Sequence, residues 1–121
     1  MTLARKHRLR KEADFSQVKE KGRLYSHSFL GILVFNTGKN ELSQFGFLIS
    51  KKISPKATLR IKLKRQLSEI VYPLISQIKP GTKIVFLPKR AIKEKSFLEI
   101  KRATEELLTK SGIFENEKNS S

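Results

Sequence analysis

The 121-residue sequence contains no cysteine and no tryptophan, a single methionine, two histidines and, in Asp14, a single aspartate. Without cysteine there is neither a disulfide scaffold nor a thiolate metal site. His7 and His27 stand alone, with no ligand or triad partner at motif spacing. Glutamates cluster towards the C-terminus, where Glu105 and Glu106 are adjacent and so do not share a helix face. Hydrolysis by the polypeptide itself would need a poised acid and base, an activated nucleophile or a bound metal, and none of these patterns is present. Gly31 and Gly46 lie singly in apolar runs rather than in a phosphate-binding loop, and mark a bulge or close packing. No apolar run approaches the ~20 residues that span a bilayer. The basic N-terminus lacks the apolar segment of a secretory signal. The expectation is a cytoplasmic protein with no membrane partner.

Positive charge, in contrast, is abundant. Lys and Arg number 26 against 11 acidic residues, giving +15 and a sequence pI near 10.4. Residues 1–24 carry eight basic and three acidic side chains, and residues 50–65 carry seven basic and no acidic ones. These two segments therefore hold twelve of the fifteen net units. A merely soluble surface intersperses the two signs, so two acid-poor blocks in one small domain read as binding surfaces for a polyanion.

An apolar fraction of 38%, with eight Phe, suffices for one core. Residues 1–9 read as an extended basic leader. Residues 11–21 read as a short helix in which Phe15 and Val18 share a face, and Gly22 fits a left-handed stop. Residues 28–35 (SFLGILVF) and 44–50 (QFGFLIS) read as strands joined by a turn at 37–40, hence as an antiparallel hairpin. Residues 23–27 give a weaker strand signal. In residues 28–35 both faces are apolar: Phe29, Gly31, Leu33 and Phe35 on one, Leu30, Ile32 and Val34 on the other. If the later helices cover one face only, the other lines a cleft. Spacing alone leaves open which face that is.

Ser54 and Pro55 read as the N-cap and first position of a long helix. Leu59, Leu63, Leu67, Ile70, Val71 and Leu74 then recur along one stripe, with Arg60, Lys62, Lys64 and Arg65 over much of the rest. Pro73 kinks this helix or ends it near Tyr72. Residues 83–87 (KIVFL) form a strand, and a strand, helix and strand in succession place 44–50 and 83–87 parallel. Ser96 and Glu99 form a capping box before a last amphipathic helix, with Gly112 as its stop. The whole predicts an α+β fold: a single two-layer domain over residues 1–114, with an α-β-β-β-α-β-α order, a mixed sheet of about four strands and the basic helix after the third. Residues 115–121 read as a polar, frayed tail.

Ser50-Lys51-Lys52 at a strand end, followed by Lys56, Arg60-Ile61-Lys62, Lys64-Arg65 and Glu69 on a helix, resembles the protein subunit of bacterial ribonuclease P. The opening is similar too, with Arg8-Leu9-Arg10-Lys11 before Asp14-Phe15 and Gly22-Arg23 after. The likeness runs from about Lys6 to about Gly112. Departures from the family pattern are Ile61 for Asn, Lys62 for Arg, Ser54-Pro55 in place of a Gly-containing link, Gln44 and Pro88 where basic residues are common, and Lys19 where some members carry an aromatic. Lys62 lacks the planar fork of Arg.

The resemblance implies the second-domain fold of ribosomal protein S5. It also implies an accessory subunit for a catalytic RNA that removes the 5′ leader of precursor tRNA, using Mg²⁺ held mainly by that RNA and none by the protein alone. Lys51, Lys52, Lys56, Arg60, Lys62, Lys64 and Arg65 would then face the catalytic RNA. Phe15, Arg8, Arg10, Lys11, Lys19, Lys89 and Arg90 would line the leader cleft. No catalytic residue, no metal ligand and no obligate protein partner are expected of this chain. The alternative is another basic RNA-binding module such as a ribosomal protein. Two residues keep two readings each: Phe15 as a stacking platform or a core residue, and Ile61 as an apolar RNA contact or a support for the N-terminal leader.

Overall fold

The apolar run KIVFL lies at the heart of the sheet in the computed structural model, which describes residues 3–115. Helix α1 spans Glu12–Lys21, followed by strands β1 (Arg23–Ser26), β2 (Leu30–Asn36) and β3 (Gln44–Phe47). Helix α2 (Ala57–Val71) leads to β4 (Thr82–Pro88), and α3 (Phe97–Ser111) completes the order expected from the sequence. The four strands are arranged β1-β2-β4-β3, with β3 parallel to β4 and the other pairs antiparallel.

The expected hairpin between residues 28–35 and 44–50 does not form. Strand β4 lies between them and pairs with β2 over seven residues, from Leu30 opposite Pro88 to Asn36 opposite Thr82. Two long apolar strands side by side bury more than β2 would against the four-residue β3, which goes to the edge. There the leader covers it. Arg8 pairs with Phe45, and the Leu9 amide donates to the Phe45 carbonyl at 2.8 Å. An edge that would otherwise expose unpaired amides is thereby closed.

Residues 3–9 of the leader are thus folded against the sheet rather than simply extended. Arg5–His7 form a 3-10 turn. The His7 imidazole, half-buried, donates from Nδ1 to the Ser43 carbonyl at 2.8 Å, which fixes its tautomer. Leu3 is buried in the cluster beneath α2 and α3, whereas Leu9 is buried in the cluster beneath α1. The leader therefore passes round the β3 edge from one face of the sheet to the other.

Alternation along the strands decides which face is which. Leu30, Ile32, Ile84 and Phe86 pack with Leu63, Leu67 and Ile70 of α2 and Ile100 and Leu107 of α3. Leu33, Phe35, Val85 and Leu87 face the other way, towards Val18 and Phe15 of α1. That second face is only partly covered, and Leu33, Phe35 and Leu87 remain half-buried. Phe29 precedes β2 and joins the α2–α3 core instead of following the alternation of Leu33 and Phe35.

Two local expectations change and a third, the end of the basic helix near Tyr72, holds. Gly22 adopts an extended conformation (φ −77°, ψ 160°), so it is not there for a left-handed turn. A Cβ at this position would collide with the Val18 carbonyl oxygen and press on the Val34 oxygen, so the glycine allows close approach. Lys56, not Ser54, caps α2, while the Ser54 hydroxyl accepts from the Lys56 amide just upstream. The α2 helix stops at Val71, before Pro73, but the chain continues as a 3-10 segment over Tyr72–Gln77. At the C-terminus, Glu115 is tied in through its amide to the Gln77 carbonyl at 2.6 Å, and residues 116–121 lie outside the described residues.

Helix α3 has both expected ends. Ser96 and Glu99 exchange side-chain and backbone hydrogen bonds in a capping box, and Gly112 is left-handed at φ 71°. Those bonds from Ser96, backbone first and hydroxyl second, hold the Glu99 carboxyl below its ordinary pKa. The stabilisation of the ionised box is therefore complete above the ordinary carboxylate range and is lost as pH falls through the lowered folded-state value. Ser96→Ala is expected to cost about 1 kcal/mol, which thermal unfolding at neutral pH measures.

Candidate nucleic-acid interface

On α2 the apolar stripe and the charge separate as the periodicity requires. Leu63, Leu67, Ile70 and Val71 are buried, and Lys56, Lys62, Lys64 and Arg65 are exposed. Lys51 and Lys52 are exposed in the turn before the helix. Arg90, placed in the cleft group by sequence, reaches this turn instead: its Nε donates to the Lys52 carbonyl at 3.2 Å. Arg60 is half-buried and donates from its guanidinium to the Ser54 carbonyl at 2.8 Å, so it shapes the loop ahead of α2 as well as contributing charge.

The opposite hollow, of about 220 Å³, is lined by Arg8, Leu9, Arg10, Phe15, the β3 segment Phe45–Phe47 and Lys64. Phe15 is half-buried beside Leu9, Val18 and Val85, which leaves part of its ring open to the hollow. Gly46 makes this possible. A Cβ on it would stand 2.5 Å from Phe15 Cε1 and 3.2 Å from Leu9 Cβ. The close packing expected of an isolated strand glycine is thus packing of the Phe15 ring itself.

The remaining cleft candidates stand elsewhere. Lys11, just before α1, and Lys19, on it, are exposed and lie outside the residues that line the hollow. Lys89 lies past the end of β4 and donates from Nζ to the Ser26 hydroxyl and the His27 carbonyl, both at 2.6 Å. On the same side of the sheet Lys83 reaches Asp14 (3.4 Å) and Gln17 (3.2 Å), which neutralises the one aspartate of the chain.

A second hollow, of about 190 Å³, opens between the leader and α2, with Leu3, Arg8, Ile61, Lys64, Arg65 and Ser68 around it. Arg8 and Lys64 line both hollows. The Arg8 Nε is buried and has no hydrogen-bond partner among the described residues. The sequence pattern puts Arg8 on one surface and Lys64 on the other and does not disclose the joint between them. The only signals of it, Leu3 and Leu9, are isolated apolar residues in a basic stretch.

Ile61 stands on the wall of this second hollow and is 50% exposed. Half of the side chain is already in water, so Ile61→Asn is expected to shift Tm by no more than about 3 °C while changing RNA affinity. A larger fall would make it chiefly a support for the leader.

Residues 3–112 match the family model for ribonuclease P. The chain belongs to the ribonuclease P protein family. It is 32% identical over 116 residues to the ribonuclease P protein component of Synechocystis sp., covering 96% of this chain and 94% of that one. The ribonuclease P protein component of Clostridium novyi is 31% identical, with 93% and 99% covered. Among solved structures, the ribonuclease P protein of Staphylococcus aureus superposes with a TM-score of 0.82 at 26% identity, covering 89% of this chain and 97% of that one. That of Thermotoga maritima gives 0.75 at 28%, with 85% and 96% covered. As a ribonuclease P protein component, the chain is a subunit of the tRNA-processing ribonuclease P holoenzyme, with ribonuclease P RNA as its partner.

Proposed function

We propose that the two hollows divide the labour of this subunit: the basic face of α2 docks on the catalytic RNA, and the Phe15 hollow receives the 5′ leader of precursor tRNA. The observation that carries the reading is their contact, since Arg8 and Lys64 belong to both. A strand of RNA passing from one hollow to the other would run along Arg8 and Lys64. Lys51, Lys52, Lys56, Lys62, Lys64 and Arg65 would neutralise phosphates of the catalytic RNA. Each contact would add about 0.7–0.9 to the slope of log affinity against log salt. Arg60 and Arg90 would support the loop that presents Lys51 and Lys52.

The chain's own part is binding and positioning. Among the described residues no group of three or more His, Cys, Asp or Glu is placed to hold a metal ion, so no step is assigned to a protein-bound one. Mg²⁺ on the RNA would supply the activated water, and lowered phosphate repulsion would help that Mg²⁺ stay bound. No described helix is long and apolar enough to cross a membrane, and we assign the reaction to the cytoplasm.

Leader length tests the division. Holoenzyme affinity for precursor tRNA is expected to rise as the first leader nucleotides are added and then level off. Equal affinity for precursors with and without a leader would contradict the role given to the Phe15 hollow.

A further inference from the structure

Leu59 interrupts the buried stripe of α2. It is 43% exposed, whereas Leu63 and Leu67 below it are buried. It forms one wall of a cavity of about 120 Å³ between the start of α2 and the 3-10 segment Arg90–Glu94. The buried side chains of Ile53, Leu63 and Ile92 supply the apolar floor. An enclosed apolar cavity of ~150 Å³ admits one benzene ring; this one is smaller, at about 120 Å³, but open at the exposed Leu59, so it takes the edge of one ring and nothing larger.

Every charged side chain that lines it is cationic. Arg60 and Lys62 stand on the α2 side, Lys93 and Lys95 on the other, and no carboxylate lines it. Two of these cations are held in place within the fold. Arg60 is bonded to the Ser54 carbonyl at 2.8 Å, and the Lys95 ammonium lies 5.3 Å from the centroid of the Phe29 ring. Ordering them on binding costs correspondingly less. Gln66 adds an amide, donor and acceptor together, to the wall. The cavity shares no residue with the Phe15 hollow.

We propose that this cavity receives one unpaired base of the catalytic RNA, turned out of its stack. The ring would lie among Leu59, Leu63 and Ile92, and its flanking phosphates would run between the two pairs of cations. A nucleotide fits because it joins an apolar ring to negative charge on both sides. An aromatic side chain would satisfy the floor but would need acidic neighbours to match the rim. The inference rests on the reading that α2 faces the catalytic RNA, and adds a site of base contact to a surface otherwise engaging phosphates.

Leu59→Phe fills the cavity from its exposed wall without altering charge. Affinity for the catalytic RNA is expected to fall roughly tenfold, about 1.4 kcal/mol, because the base would lose its apolar contacts with Leu63 and Ile92. The salt slope and Tm are expected to stay as in the parent protein. Leu59→Asp, at the same exposed position, is expected to weaken binding further and serves as a second variant should the first fold poorly. In base-modification footprinting of the RNA bound to the parent protein, one unpaired nucleotide is expected to be protected, and to become reactive again with Leu59→Phe. If Leu59→Phe binds normally while Lys64→Gln still weakens binding, the surface reading stands, the cavity belongs to another occupant such as an acidic protein segment, and the proposal fails. If neither substitution changes affinity, the reading of α2 fails with it. Weakened binding with no nucleotide released would show contact with backbone only, and would also overturn the proposal.

Discussion

Replacing Lys62, Lys64 and Arg65 together by glutamine is expected to weaken binding to the catalytic RNA about a hundredfold at 0.15 M salt and to lower the salt slope by roughly 2–3. The magnitude follows from counterion release. Three phosphate contacts each contribute about 0.7–0.9 of a decade in affinity per decade of salt, so a gap that closes near 1 M reaches about two decades at 0.15 M. All three side chains are exposed, so thermal stability should change by no more than about 0.5 kcal/mol per site. Arg60 is left out deliberately, because its bond to the Ser54 carbonyl would mix a structural loss with an electrostatic one. Titration of the labelled RNA at several salt concentrations measures both quantities. A slope unchanged by the triple substitution would mean that this face does not meet phosphates.

Gly46→Ala is expected to damage the leader hollow through a single methyl group. The added Cβ would stand 2.5 and 2.7 Å from Phe15 Cε1 and Cζ, closer than side chains tolerate, with Leu9 behind. The Phe15 ring must therefore move, at a cost of about 1–3 kcal/mol in overpacking. Affinity for leader-bearing precursor should fall as well, because a stacked base loses its platform, a contact worth roughly 1–3 kcal/mol. Phe15→Leu separates the two roles of this residue. Leucine retains most of the apolar contact with Leu9, Val18 and Val85 but presents no aromatic face. The expected result is a nearly unchanged Tm, weakened binding of leader-bearing precursor and normal binding of the catalytic RNA. A large fall in Tm with normal leader binding would make Phe15 a core residue alone.

These effects divide into what residue patterns disclose and what only packing discloses. The basic face of α2 is legible because a helix with Leu63, Leu67 and Ile70 on one side has to turn Lys62, Lys64 and Arg65 to the other. The parallel pairing of β3 with β4 is legible for a related reason, since a helix between two strands demands a crossover. The antiparallel neighbour of β4 is not. A short link suggests that β2 pairs with β3, and only the longer apolar match between β2 and β4 overrides it. Gly22 reads as a helix stop and Gly46 as an isolated strand glycine, and neither reading names the atoms that require it. The reason for Gly22 is the Val18 carbonyl one helical turn back, with Val34 on the neighbouring strand behind it, and the reason for Gly46 is the Phe15 ring, distant in sequence. The leader is least legible of all: Leu3 and Leu9 give no periodicity, yet they carry Arg8 round the β3 edge to the joint between the two hollows.

The most direct test of the account is reconstitution. The full-length protein is combined with a bacterial catalytic RNA at low Mg²⁺, where phosphate repulsion limits activity, and 5′ cleavage of precursor tRNA is followed. The prediction is strong stimulation over the RNA alone, and no cleavage by the protein alone with Mg²⁺. Cleavage by the protein in the absence of any catalytic RNA, or failure to stimulate RNAs that other ribonuclease P proteins activate, would contradict it.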